Sequence, residues 1–157
     1  MDSTASELDN HLRELLVPVA AQWGLDVGPA GLEQLRVYGV ELVRWNEQVN
    51  LTRIVAPREI VIRHFLDSLA CARAWDTPPA SLADIGTGAG FPGIPLKIVW
   101  PKMALLVSDS IGKKTAFLRH LVSALELEGV DVVTGRAEAL GRDPAYRERY
   151  DGVVARA

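Results

Sequence analysis

Apolar positions recur at helical spacing through residues 1–75. Leu8, Leu12, Leu15, Leu16, Val19 and Trp23 fall on one face, and Ser3, Thr4 or Ser6 stands where a cap belongs. Gly24 to Pro29 reads as a turn, and Leu32, Leu35, Leu42, Val43 and Val49 mark a second helix. Pro57 opens a third, because its missing N–H costs nothing in a first turn. That helix carries Ile60, His64, Leu66 and Leu69 and ends before Pro78-Pro79.

The pattern then changes to short apolar runs separated by longer helical ones. Ser81 to Ile85, Ala104 to Val107, Val130 to Val133 and Gly152 to Ala155 predict four strands. Gly93 to Trp100 and Lys113 to Leu127 predict the helices between them, the latter with Phe117, Leu118, Leu121 and Leu125 on one side. Alternation of this kind builds parallel βαβ units and an open α/β sheet. The expected organisation is a helical arm over residues 1–75 and a sheet core over 76–157. A doubly wound sheet continues past its fourth strand, so the apolar run Asp151 to Ala157 is expected to be followed by further elements, and the chain to be a fragment.

Composition narrows the class. With 157 residues, 48% apolar and 24% charged, the chain is one core-forming domain's worth and not a disordered protein. No apolar run reaches the roughly 20 residues of a membrane helix, and Asp2, Glu7 and Asp9 stand where a leader would be basic, so membrane insertion and secretion are not expected. The single cysteine, Cys71, fits a reducing cytoplasm and falls short of a metal site. A net charge of −3 argues against indiscriminate coating of nucleic acid. A monomer without metal is expected.

The chemistry is concentrated in Asp84-Ile85-Gly86-Thr87-Gly88-Ala89-Gly90-Phe91-Pro92-Gly93, between the first strand and the next helix. Ligands of open parallel sheets lie at the carboxyl ends of the strands, and glycines there admit a ligand that a Cβ would obstruct. Two cofactor classes fit. Gly88, Gly90 and Gly93 satisfy the dinucleotide pattern, with Asp109 about 20 residues on as a ribose acid, which describes a nicotinamide-dependent oxidoreductase. Asp84-x-Gly86-x-Gly88-x-Gly90 instead suits S-adenosylmethionine: a pyrophosphate has no use for the acid, and Pro92 and Pro95 remove N–H donors it would need. Past the third strand, Ala137 and Glu138 could meet an adenine, or Glu138 could simply face a helix dipole. Arg156, after the fourth strand, could face a transfer pocket or solvent.

Taken together, Asp84 to Gly93 with Ile94-Pro95-Leu96, Ser108-Asp109-Ser110 with Lys113-Lys114 and Phe117-Leu118, Arg136-Ala137-Glu138 and Ala155-Arg156-Ala157 resemble the bacterial RsmG (GidB) family of 16S rRNA methyltransferases. Trp45-Asn46, Asn50-Leu51-Thr52 and Arg63-His64-Phe65-Leu66-Asp67-Ser68 resemble its helical N-terminal signature. The resemblance covers Trp45 to Ala157 and departs at Ser108, where an apolar residue is usual. It implies a class I S-adenosylmethionine-dependent, Rossmann-like α/β fold and methylation of guanine N7 at position 527, in the 530 loop of 16S rRNA within the 30S subunit. It also implies cofactor contacts at Gly86, Gly88, Phe91, Ala137, Glu138 and Arg156, with Asp109 on the ribose.

Rival methyl acceptors leave marks that are missing. An exocyclic-amine enzyme calls for an Asn/Asp-Pro-Pro-aromatic element after the fourth strand, where Ala155-Arg156-Ala157 stands, and a cytosine-C5 enzyme calls for an activated thiol, whereas Cys71 lies on a half-apolar helix. RNA needs positive charge. Lys97, Lys102, Lys113, Lys114 and Arg119 face Asp109 alone between Lys97 and His120, a candidate phosphate-binding edge in which Lys113, Lys114 and Arg119 are the foremost residues. Arg44, Arg53, Arg58 and Arg63 add charge on the arm, although Arg63 and His64 could equally brace the helices against the sheet. A non-catalytic RNA-binding fragment is the remaining alternative.

Overall fold

The computed structural model describes residues 2–156; Met1 and Ala157, the outer limits of the expected arm and core, lie outside them. The arm's first helix, α1 (Ser3–His11), runs through a π-helical turn (Leu12–Leu16) into α2 (Val17–Gln22). Its cap is Asp2, whose carboxylate accepts from the Thr4 N–H, and not one of the hydroxyl residues inside the helix. The second, α3 (Gly28–Asn46), stops short of Val49 because the Asn46 side chain turns the chain by accepting from the Leu51 and Thr52 N–H groups, both at 2.9 Å. Pro57 begins α4 (Pro57–Glu59), as its lack of a donor predicts. That helix continues through a wide π-helical segment (Ile60–Leu66) into α5 (Asp67–Ala70) and a 3-10 turn (Cys71–Ala74).

The sheet strands are β1 (Ser81–Ile85), β2 (Ala104–Asp109), β3 (Val130–Thr134) and β4 (Gly152–Val154). They pair in the order β3-β2-β1-β4, all parallel. The open α/β sheet expected from the alternation is therefore present, in the Rossmann-like form that the family resemblance implies. Helices α6 (Gly93–Val99) and α7 (Gly112–Ala124) fill the first two crossovers. A short α8 (Ala137–Arg142) follows β3. Because β2 and β3 extend the sheet to one side of β1 and β4 to the other, the strand order reverses at β1, where such sheets open a crevice.

One apolar cluster joins arm and sheet. Leu8, Leu12, Leu16, Tyr38 and Leu42 from the arm lie in it with Leu82, Leu105 and Val107 from one sheet face and Phe91, Ile94 and Leu118 between them. The opposite face, with Ala83, Leu106 and Val153, lines a cavity of about 330 Å³ beneath α8 and the Tyr146–Tyr150 segment, and Val153 is 64% exposed. Among the described residues no helix is long and apolar enough to cross a membrane.

Candidate cofactor crevice at the carboxyl ends of the strands

The glycine loop leaves β1 beside the end of β2: the Thr87 N–H donates to the Ser108 carbonyl at 2.9 Å. Gly86 and Gly88 both take positive φ, +66° and +60°, and a Cβ built on either meets nothing within 4 Å. Any other residue there would be strained and would push its side chain into the open space above the strands. Gly90 and Gly93 have a different reason to be glycine. A Cβ on Gly93 would come within 2.8 Å of Asp84, and one on Gly90 within 2.5 Å of the Tyr38 hydroxyl.

Asp84 is fully buried and closes the loop from below. Its Oδ2 accepts from the Thr87 hydroxyl at 2.6 Å and the Gly93 N–H at 2.7 Å, while Oδ1 has no partner among the described residues. Burial pushes its pKa up to about 7, against the opposing pull of those two hydrogen bonds. The first turn of α6 is thereby used up: Gly93 N–H goes to Asp84, Ile94 N–H to the Gly90 carbonyl and Leu96 N–H to Pro92, while Pro95 has none. An anion arriving at this helix start finds no free backbone donor.

Asp109 ends β2 at 7% exposure and holds two loops at once. Oδ2 accepts from the Gly88 N–H at 2.9 Å and Oδ1 from the Ile111 N–H at 3.0 Å. The Gly135 N–H donates to the Asp109 carbonyl, which brings the end of β3 alongside. Two residues on, Ala137 and Glu138 open α8 and are exposed. Gly86, Gly88, Asp109 and the β3 end thus meet on one rim, as their positions in the sequence suggest.

Phe91 is placed otherwise. Its ring is 3% exposed and stacks with Tyr38 (centroids 5.1 Å apart, planes at 12°) and with His64 (4.3 Å, 3°), so only its backbone faces the loop side. The Arg156 guanidinium lies 5.0 Å from the same ring centroid. It donates to the Arg63 carbonyl at 3.2 Å, to Asp67 Oδ2 at 3.1 Å and to His64 Nδ1 at 3.0 Å. His64 Nε2 lies 2.8 Å from the Thr52 hydroxyl, itself placed by the turn at Asn46. The arm's two sequence signatures therefore converge on the end of β4. A shallow cavity of about 650 Å³, lined by Ile62, Asp67, Ala70 and Arg156 among others, opens beside them.

Tyr38 is the residue that sequence reasoning passed over. Its hydroxyl donates to the Ala89 carbonyl at 2.6 Å. The signal was its place between Leu35 and Leu42 on the apolar stripe of α3, since a buried tyrosine there must find an acceptor. The basic edge is dispersed. Lys97 is not on it: at 2% exposure, Nζ donates to the Pro101 and Met103 carbonyls and ties off the end of α6. Arg119 leans on the β3 edge, within 3.4 Å of the Val132 carbonyl and the Thr134 hydroxyl. Lys113 is exposed and Lys114 half-buried in the first turn of α7. Burial raises the Cys71 thiol pKa, the reverse of what a nucleophile needs. Among the described residues no cluster of three or more His, Cys, Asp or Glu could hold a metal.

Residues 31–157 match the family model described as rRNA small subunit methyltransferase G. Curated relatives bearing the name ribosomal RNA small subunit methyltransferase G include one from Roseiflexus castenholzii, 54% identical over 142 residues, or 90% of this chain and 61% of the relative. Others come from Chloroflexus aggregans, 43% identical over 150 residues (96% and 63%), and Acetivibrio thermocellus, 40% identical over 151 residues (96% and 62%). The chain spans about three fifths of the length of these relatives.

Proposed function

Because the chain belongs to the rRNA small subunit methyltransferase G family, we propose that it is the cofactor-binding portion of an enzyme that methylates N7 of guanine 527 in 16S rRNA, with S-adenosylmethionine as donor. One observation carries the choice of cofactor. The rim offers bare backbone at Gly86 and Gly88, while every N–H in the first turn of α6 is already bonded. A dinucleotide pyrophosphate needs those donors; a sulfonium nucleoside does not. In this reading the Asp109 carboxylate, whose two oxygens each accept one backbone N–H and keep a second lone pair, would take the ribose hydroxyls, and Ala137 and Glu138 at the start of α8 would take the adenine. The implied contacts at Gly86, Gly88, Phe91 (through its backbone) and Arg156 complete this reading.

When bound, the cofactor supplies an electrophilic methyl group. Guanine N7 presents a lone pair and carries no proton, so no residue of this chain has to act as a base. The protein's task is alignment and exclusion of water. Residues 1–75 as a helical arm and 76–157 as the core, action in the cytoplasm as a monomer, and rRNA phosphates met by Lys113, Lys114 and Arg119 belong to the same proposal. Calorimetric titration with S-adenosylhomocysteine and with NAD tests the cofactor. Saturable NAD binding with no response to the thioether would reject the reading. Transfer of tritiated methyl to undermethylated 30S particles, followed by strand scission at 7-methylguanine, tests the acceptor.

A further inference from the structure

The contact between His64 and Arg156 joins the arm to the end of β4, and its chemistry fixes a proton. A guanidinium only donates, so His64 Nδ1, 3.0 Å from Arg156 Nη2, must present its lone pair. The neutral ring then carries its hydrogen on Nε2, which donates to the Thr52 hydroxyl oxygen at 2.8 Å. An imidazolium would turn an N–H toward the cation and break the contact. The charges facing the ring divide: Arg156 from the end of β4 and Arg63 from its own helix oppose protonation, Asp67 favours it, and Thr52 and Phe91 carry no charge. Burial and the two arginines hold the His64 pKa down at about 4.

Arg156 has five N–H donors, and three are spoken for by Arg63, Asp67 and His64. Its Nε–H and one Nη2–H have no partner among the described residues. S-adenosylmethionine carries a single anionic group, the carboxylate of its methionyl tail, and two guanidinium donors suit a carboxylate. Resting on the function proposed above, we infer that His64 is a positioning residue: its Nδ1 lone pair holds the Arg156 guanidinium so that the two remaining N–H groups receive the tail carboxylate. His64 touches no ligand itself and acts through Arg156.

Two variants divide the ring's two contacts. In His64→Asn the amide oxygen replaces the Nδ1 acceptor and Thr52 is abandoned; in His64→Gln the amide reaches Thr52 and the Nδ1 acceptor is removed. Two ligands divide the cofactor: S-adenosylhomocysteine has the carboxylate, and methylthioadenosine keeps the nucleoside and thioether without it. Calorimetry is expected to show His64→Gln losing about tenfold in affinity for S-adenosylhomocysteine, the scale of one charge-assisted hydrogen bond. Methylthioadenosine affinity stays level, and His64→Asn retains most of the preference for the carboxylate ligand. Equal losses for both ligands, or equal losses in both variants, would overturn the positioning role and leave a structural brace. If the unmodified protein binds neither thioether, the cofactor reading fails first and the inference with it. Side-chain nitrogen NMR gives a readout without ligand: a neutral Nε2–H tautomer at pH 7 is expected, and an Nδ1–H tautomer or an imidazolium refutes the contact.

Discussion

The Tyr38 hydroxyl reaches across from the middle of α3 to hold the Ala89 carbonyl at 2.6 Å, so a residue of the arm sets the height of the glycine loop above the sheet. The same ring stacks on Phe91, and the Gly90 backbone passes close enough that a Cβ there would collide with the hydroxyl. Tyr38→Phe keeps the stack and strands a buried carbonyl. It is expected to cost about 1–3 kcal/mol in chemical denaturation and to weaken S-adenosylhomocysteine binding in calorimetry. Unchanged stability would mean that the loop stands without the arm.

Glycines of the same loop separate ligand space from packing. Gly86→Ala faces open space at a φ of +66°, so it should cost only about 1–2 kcal/mol while abolishing cofactor binding, because the methyl group occupies the crevice. Gly90→Ala meets Tyr38, Ile94 and Leu118 and should cost about 3 kcal/mol or more. Melting curves and titrations on the pair check this. The idea fails if Gly86→Ala binds like the parent.

Stability against pH contains two opposed contributions. Asp84, with its folded pKa raised from 3.8 to about 7, binds a proton in the native state that the unfolded chain has released, so its contribution declines as pH rises through that window. His64, lowered from 6.5 to about 4, refuses a proton that the unfolded chain takes up, so its contribution is present above pH 6.5 and disappears on acidification toward 4. Between pH 4 and 6.5 they offset one another. Asp84→Asn should expose the His64 slope and make the protein distinctly more acid-labile relative to its stability at pH 7. Urea midpoints from pH 4 to 8 measure it, and parallel profiles for parent and variant would contradict it.

Charge on α7 and α6 should divide by role. Lys113→Glu with Lys114→Glu is expected to weaken rRNA binding and lower the slope of log affinity against log salt by about 0.7 for each phosphate left without its lysine, with the melting temperature unshifted. Lys97→Met leaves the Pro101 and Met103 carbonyls without their donor and should lower the melting temperature while the salt slope stays put. Filter binding across a salt series distinguishes the two, and a stability loss from the α7 pair alone would place those lysines in packing.

Much of this was legible in the chain. Strand positions followed from apolar runs bounded by Gly, Asp and Ser, and Pro57 and the Asp84–Gly93 loop announced themselves by residues that few other environments favour. What could not be read were contacts made across long separations. Lys97 looks like any surface lysine until its stem is buried and its ammonium finds two carbonyls. Phe91 lies in the glycine loop yet turns its ring into the arm, since stacking with Tyr38 and His64, separated from it by 53 and 27 residues, is invisible to local spacing. The Asp2 cap and the early end of α3 at Asn46 were missed because side-chain capping competes with periodicity at helix ends.

The apolar cluster shared by arm and sheet has a bearing on biosynthesis. A nascent chain leaves the ribosome with Leu8 already supplied with its seat on Gly39 of α3, but with Tyr38 well ahead of Ala89 and Phe91, the residues that take its hydroxyl and its ring. The first helices can therefore pack on one another during synthesis, while their union with the sheet waits for the glycine loop to emerge.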